Sequence, residues 1–136
     1  MQEDGTIAAV TRTIELTTPG TATPIVITGQ VERLVRASGI TTGIVALCGQ
    51  GVGAAVFCLE GDDTRLGVWT DRLGGWLTKQ DPEVAAQLLS QMYGQSLVLP
   101  IERSNLLHDP WQQIVVVDFG PQPRRRLITV QMLGDK

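Results

Sequence analysis

The apolar positions along the chain switch between a period of two and a period near 3.6. The run "TIAAVTRTIELTT" (residues 6–18) alternates, with Ile14 and Leu16 on one side and Thr13 and Glu15 on the other, which predicts a strand. A turn-rich "TPGTATP" follows. "ITGQVERLVRASG" then predicts a helix, with Ile27, Val31, Leu34 and Val35 on one face, Thr28 as N-cap and Gly39 as terminator. "TTGIVALCGQ" and "AAVFCLE" are short apolar runs separated by glycines, and they predict a β-hairpin.

In "DDTRLGVWTDRLGGWL", Asp62 or Asp63 can cap a helix whose stripe is Leu66, Trp69, Leu73, Trp76 and Leu77. Its three glycines weaken it, each costing about 0.5–1 kcal/mol relative to alanine. "DPEVAAQLLSQMYG" is a cleaner helix, with Asp81 as cap, Pro82 at its first position and Gly94 as stop. Three β-like runs complete the chain: "SLVLPIE", "WQQIVVVDF" and "RRLITVQML", the last pair separated by Pro-Gln-Pro. Grouped strands and grouped helices predict an α+β fold in one domain over residues 1–136.

A formal charge of −3 gives no electrostatic reason to expect a nucleic-acid partner. The dense basic run, Arg124 to Arg126, reads as a solvated hairpin end, with a phosphate-binding patch as the alternative. No apolar stretch approaches the roughly 20 residues that a membrane span needs, so no membrane partner is expected. The acidic start lacks a charged-then-apolar leader, and the expected location is the cytoplasm. Cys48 and Cys58, ten apart, match no zinc or redox motif and read as buried thiols.

Gly49, Gly51 and Ala54 satisfy G-x-G-x-x-G/A, the pattern of a dinucleotide loop. Such a loop needs a helix to begin at its third position, facing the pyrophosphate. Here "AAVFCLEG" is strand-like and ends within about two helical turns. Nor is there a Gly-Lys-Ser/Thr for a Walker loop. A nucleotide-binding enzyme is the weakest of the functional readings.

The segment from Gly43 to Thr64, "GIVALCGQGVGAAVFCLEGDDT", resembles the YjbQ-like family's G-L-L-x-L-x-x-Q-H-T-S-A-S-L-x-x-N-E-N-x-D-P, with Gln50, Ala54, Glu60 and Asp63 in register. "AAQLLSQMYGQSLVLP" is similar to P-x-H-I-K-x-x-x-L-G-x-S-L-x-x-P through Gly94, Ser96, Leu97 and Pro100. "DPWQQIVVVD" keeps Trp111, Gln112 and Ile114 of G-T-W-Q-G-I-x-x-x-E, with Asp118 in place of glutamate. The family includes members regarded as secondary thiamine-phosphate synthases. The resemblance implies an α+β β-sandwich of about seven strands with two to three helices. It also implies assembly as a homotrimer.

The departures from the family pattern bear on function. Gly51 stands where the family has histidine, Val52 and Gly53 replace two hydroxyl residues, and Gln87 replaces a second histidine. Leu59 and Gly61 replace asparagines. Imidazole suits metal binding and proton transfer near neutral pH; glycine and glutamine do not. The single histidine, His108, aligns with neither and reads as an exposed loop residue, with a contact to Asp109 as the alternative.

Glu60, Asp62, Asp63 and Asp118 would gather near one pocket if the family geometry holds. That offers an oxygen site for a hard cation; the plainer roles are helix caps and strand ends. Trp69 and Trp76 read as core anchors, while Trp111 and Gln112 persist from a motif lining the family pocket.

The first expectation is therefore a non-catalytic scaffold without cofactor or metal, binding an unknown small molecule or a protein. Its pocket candidates are Gln50, Gly51, Gly53, Glu60, Asp63, Gln87, Trp111 and Gln112. The alternative is a divergent enzyme of the thiamine-phosphate synthase type using Glu60 or Asp118 for proton transfer.

Overall fold

A computed structural model describes residues 7–136, apart from the side chain of Asp63. Thr6, the first residue of the predicted first strand, lies outside that range. The elements run β1 (Ile7–Thr18), β2 (Ile25–Val26), α1 (Thr28–Ser38), β3 (Thr42–Gly49), β4 (Ala54–Glu60) and α2 (Asp63–Leu77). They continue with α3 (Pro82–Tyr93), β5 (Ser96–Glu102), β6 (Asn105–Leu106), β7 (Gln112–Asp118) and β8 (Arg124–Asp135). The fold is α+β, as expected. The two-residue strands β2 and β6 are too short to leave a periodic signal.

The strands form two sheets, ordered β1-β8-β3-β5-β6 and β2-β7-β4. Every neighbouring pair is antiparallel. The inner faces meet in a core that includes Val45, Leu47, Ile128, Val130, Ile114 and Val116, sealed at one side by Val31 and Val35 of α1. The small sheet is covered on its other face as well: Val115, Val117, Ala55 and Phe57 pack against Ala86 and Leu89 of α3 and Trp69 and Leu73 of α2. This third layer explains why "IVVV" is unbroken: Ile114 to Val117 are buried on both faces.

β3 and β4 do not form the predicted hairpin. β3 pairs with β5 and β8, whereas β4 pairs with β7 in the other sheet. The glycines between them carry the chain across from one sheet to the other. Gly53 leads into β4, so no helix begins at the third position of the Gly49–Ala54 segment as a dinucleotide loop requires.

Local corrections follow the same physical logic. Ile27 occupies the N-cap position of α1, and Thr28 is the first helical residue. The Thr28 hydroxyl serves β7 instead, donating to Gln113 Oε1 at 2.7 Å and accepting from the Ile114 amide at 2.9 Å. Asp62 caps α2 by accepting the Arg65 amide at 3.0 Å, and Asp81 caps α3 by accepting the amides of Glu83 and Val84. Trp69 anchors the helical layer, meeting Tyr93 edge-on with ring centres 5.8 Å apart. Trp76 is exposed and is not a core anchor. Both cysteines are free thiols, but Cys48 is exposed rather than buried, and burial raises the pKa of Cys58.

A candidate binding cleft around a buried arginine

β8 alternates inward and outward, and Arg126 falls in phase with Ile128, Val130 and Met132. Its side chain is therefore driven inside, whereas Arg125 points out and pairs with Glu15 at 2.6 Å. Arg125 holds the Glu15 carboxyl below its ordinary pKa through that hydrogen bond and its charge. The basic run is thus divided between two environments, correcting its reading as one solvated hairpin end.

The buried guanidinium meets Asp118, the last residue of β7, with Nε donating to Oδ2 at 2.8 Å. Asp118 is fully buried, and both of its oxygens are engaged. The Thr18 hydroxyl donates to Oδ2 at 3.0 Å, and the Gly120 amide donates to Oδ1 at 3.0 Å. These partners satisfy a charge that would be costly to bury alone. Arg126 Nη2 donates to the Val52 carbonyl at 2.8 Å, tying β8 to the sheet-crossing loop.

That loop leaves room for the guanidinium because position 51 carries no side chain. Gly51 and Gly53 have φ of +95° and +94°, in the region that favours glycine. A Cβ on Gly51 would collide with Arg126 Nη1, and one on Gly53 would lie 3.5 Å from Nη2. Arg126 thus stands in the direction that a side chain at position 51 would take.

In front of the pair opens a cleft of about 270 Å³, bounded by Val52 and Gly53, by Glu83, Ala86 and Gln87 of α3, and by Arg124. A smaller, mainly apolar cleft of about 160 Å³ adjoins it, sharing Pro82 and Pro121 and walled by Leu77 and Phe119. A separate groove of about 370 Å³ is lined by Glu60, Gly61, Asp62, Arg65 and Trp111.

The expected pocket residues are therefore divided. Gly53, Gln87 and Asp118 line the arginine cleft, and Gly51 lies beside Arg126 Nη1 without lining it. Glu60 and Trp111 belong to the separate groove, and Gln112 pairs with Glu60 in register. Since Ala54 pairs with Asp118 and Glu60 with Gln112, Glu60 and Asp118 lie near opposite ends of one strand pair. Six residues at about 3.3 Å each separate those ends by roughly 20 Å. The acids do not gather in one pocket within the chain. Gln50 turns away, its Nε2 donating to Thr129 Oγ1 at 2.9 Å. The Asp63 side chain lies outside the described residues.

His108 also stands apart from the cleft. Its Nδ1 lies 2.9 Å from the backbone carbonyl of Asp109, and its Nε2 is 3.8 Å from Glu32 Oε1. The Asp109 carboxylate instead accepts the Trp111 amide. The histidine is mostly shielded rather than exposed, with 16% of its side chain accessible. Among the described residues no group of three or more His, Cys, Asp or Glu is placed to hold a metal ion. Gly51 and Gln87 do not fit a metal at the family's histidine positions.

Thr18 and Gly120 were not among the residues that the sequence singled out, and Arg124 and Arg126 were noted only as parts of a basic run. The two-residue phase of Arg126 with Ile128 and Val130 was the available signal; the neighbouring arginines and the prolines masked it.

No curated protein matches the chain. Among solved structures, it is similar to a YbjQ-like protein of unknown function from Sulfolobus solfataricus P2, at 24% identity and a TM-score of 0.85, covering 96% of this chain and 100% of that one. It is also similar to a structural-genomics target from C. acetobutylicum, at 25% identity and a TM-score of 0.79, covering 91% and 99%. A conserved hypothetical protein from Thermus thermophilus matches at 26% identity and a TM-score of 0.69, covering 86% and 97%. The family model described as UPF0047 protein YjbQ-like matches residues 12–135, and the chain belongs to that family.

Proposed function

We propose that this chain keeps the YjbQ-like scaffold as a non-catalytic binding protein, with the cleft in front of Arg126 receiving a small molecule. The observation that carries this reading is the state of Asp118. It accepts from Thr18 and Arg126 on Oδ2 and from Gly120 on Oδ1, three of about four lone-pair sites, so the buried carboxylate is held as the partner of Arg126 rather than as a free acid in the cleft. Gly51 and Gln87 bring no imidazole to the same place. An enzyme reading would rest on Glu60 as the free acid, and Glu60 lies in the other groove. The direct test is an assay for thiamine phosphate formation by the purified chain, with no formation expected.

The protein acts as a homotrimer in this reading. The outer face of the five-stranded sheet exposes Ile44, Val98 and Leu133 on adjoining strands, apolar surface that an assembly would cover. Sedimentation should give a mass three times that of the 14.7-kDa chain. A monomer at micromolar concentration would remove this part of the proposal.

A further inference from the structure

From the two adjoining clefts we infer the ligand class: a small oxyanion, a carboxylate or phosphate monoester, carrying an apolar body. The inference rests on the reading of the arginine cleft as a binding site. In that cleft Asp118 already accepts from three donors, while the two arginines keep donors without partners among the described residues. Both Asp118 oxygens are engaged, while Arg126 uses Nε and Nη2 and has no hydrogen-bond partner for Nη1 among the described residues. Arg126 is nine-tenths buried, so its orientation is fixed before any ligand arrives. Arg124, exposed at the start of β8, adds a second guanidinium with no ion-pair partner among the described residues. Planar guanidinium groups suit carboxylate and phosphate oxygens.

The opposing charge is Glu83, exposed near the start of α3. It weakens the attraction through solvent without occupying the donors. The apolar body has its own compartment. The cleft walled by Leu77 and Phe119 continues from the arginine cleft across Pro82 and Pro121. Gly74 lines that compartment, and nothing lies within 4 Å of where its Cβ would be. One charged end and one apolar end favour a ligand that presents both.

Isothermal titration calorimetry on the purified chain tests this, with 3-phenylpropionate, phenyl phosphate, inorganic phosphate and the neutral 3-phenylpropanol as probes. The aryl anions should bind at least tenfold more tightly than the alcohol. Arg124→Ala should weaken both aryl anions several-fold, and Glu83→Gln should tighten them. Gly74→Leu should weaken the aryl anions about tenfold and leave inorganic phosphate unchanged. These positions avoid the buried pair, and circular dichroism checks that each variant is folded. Equal binding of alcohol and acid, no binding of any anion at millimolar concentration, or indifference to Arg124→Ala and Gly74→Leu would each overturn the inference. Thiamine phosphate formation in the separate assay would instead overturn the non-catalytic reading, leaving these affinities as the test of ligand class.

Discussion

Arg126 Nε donates to Asp118 Oδ2 across 2.8 Å, with 7% of one side chain and none of the other open to solvent. The contact joins β8 of the large sheet to β7 of the small one, and Arg126 Nη2 extends it to the loop at Val52. A single ion pair therefore ties together the two sheets at the mouth of the cleft.

Breaking this pair from one side should cost far more than a surface substitution. Arg126→Met strands a buried carboxylate, and Asp118→Ala strands a buried guanidinium; each should lose about 3–5 kcal/mol. The double variant should lose much less than the sum. Urea unfolding of all four proteins measures the coupling, and simple additivity would mean that the pair contributes nothing of its own.

Glycines in two settings should respond in opposite directions. Gly51→Ala meets both a positive φ and Arg126 Nη1, so a loss of about 1–3 kcal/mol is expected. Gly74→Ala and Gly75→Ala, in α2 with open space around them, should each gain about 0.5–1 kcal/mol from helix propensity. Thermal melting distinguishes the two classes. A stabilising Gly51→Ala would contradict the account of the loop.

The sequence made the helices and most strands readable because their signals are local. Asp81, Pro82 and Gly94 punctuate α3, and Ile14 and Leu16 give β1 its phase. What was lost depends on partners distant in sequence. Two apolar runs separated by glycines look the same whether they pair with each other or, as β3 and β4 do, with different sheets. Arg126 looked solvated at the end of the arginine run that follows the Pro-Gln-Pro turn, because its buried acceptor is on another strand. Glu60 and Asp118 seemed able to share a pocket until the register of β4 against β7 placed them at opposite ends.

The acid limb of stability should carry a signature of Glu15. Arg125 lowers its pKa in the folded state, so the pair's contribution is present above the ordinary carboxylate value of 4.5 and is lost as pH falls through the lowered value. Glu15→Gln should flatten that part of the stability–pH curve, and added salt should shrink the difference because the pair is exposed. Parallel curves for the two proteins at low salt would contradict this.

The cysteines report on the outer sheet face. Cys48 is exposed on β3, whereas Cys58 is partly buried with its thiol pKa raised, so a dissociated chain should alkylate at Cys48 first. Assembly through the face bearing Ile44 and Val98 should slow labelling of Cys48 in a concentration-dependent way. Mass spectrometry after timed iodoacetamide treatment reads both sites. Equal Cys48 rates at high and low protein concentration would argue against assembly through that face.

The most direct measurement of the central claim is the rate of thiamine phosphate formation by purified protein, compared with Glu60→Gln and Asp118→Asn variants. A scaffold with an arginine–aspartate pair in its cleft and no imidazole beside it should give no rate above buffer in any of the three. Turnover by the unsubstituted chain that disappears in either variant would contradict it.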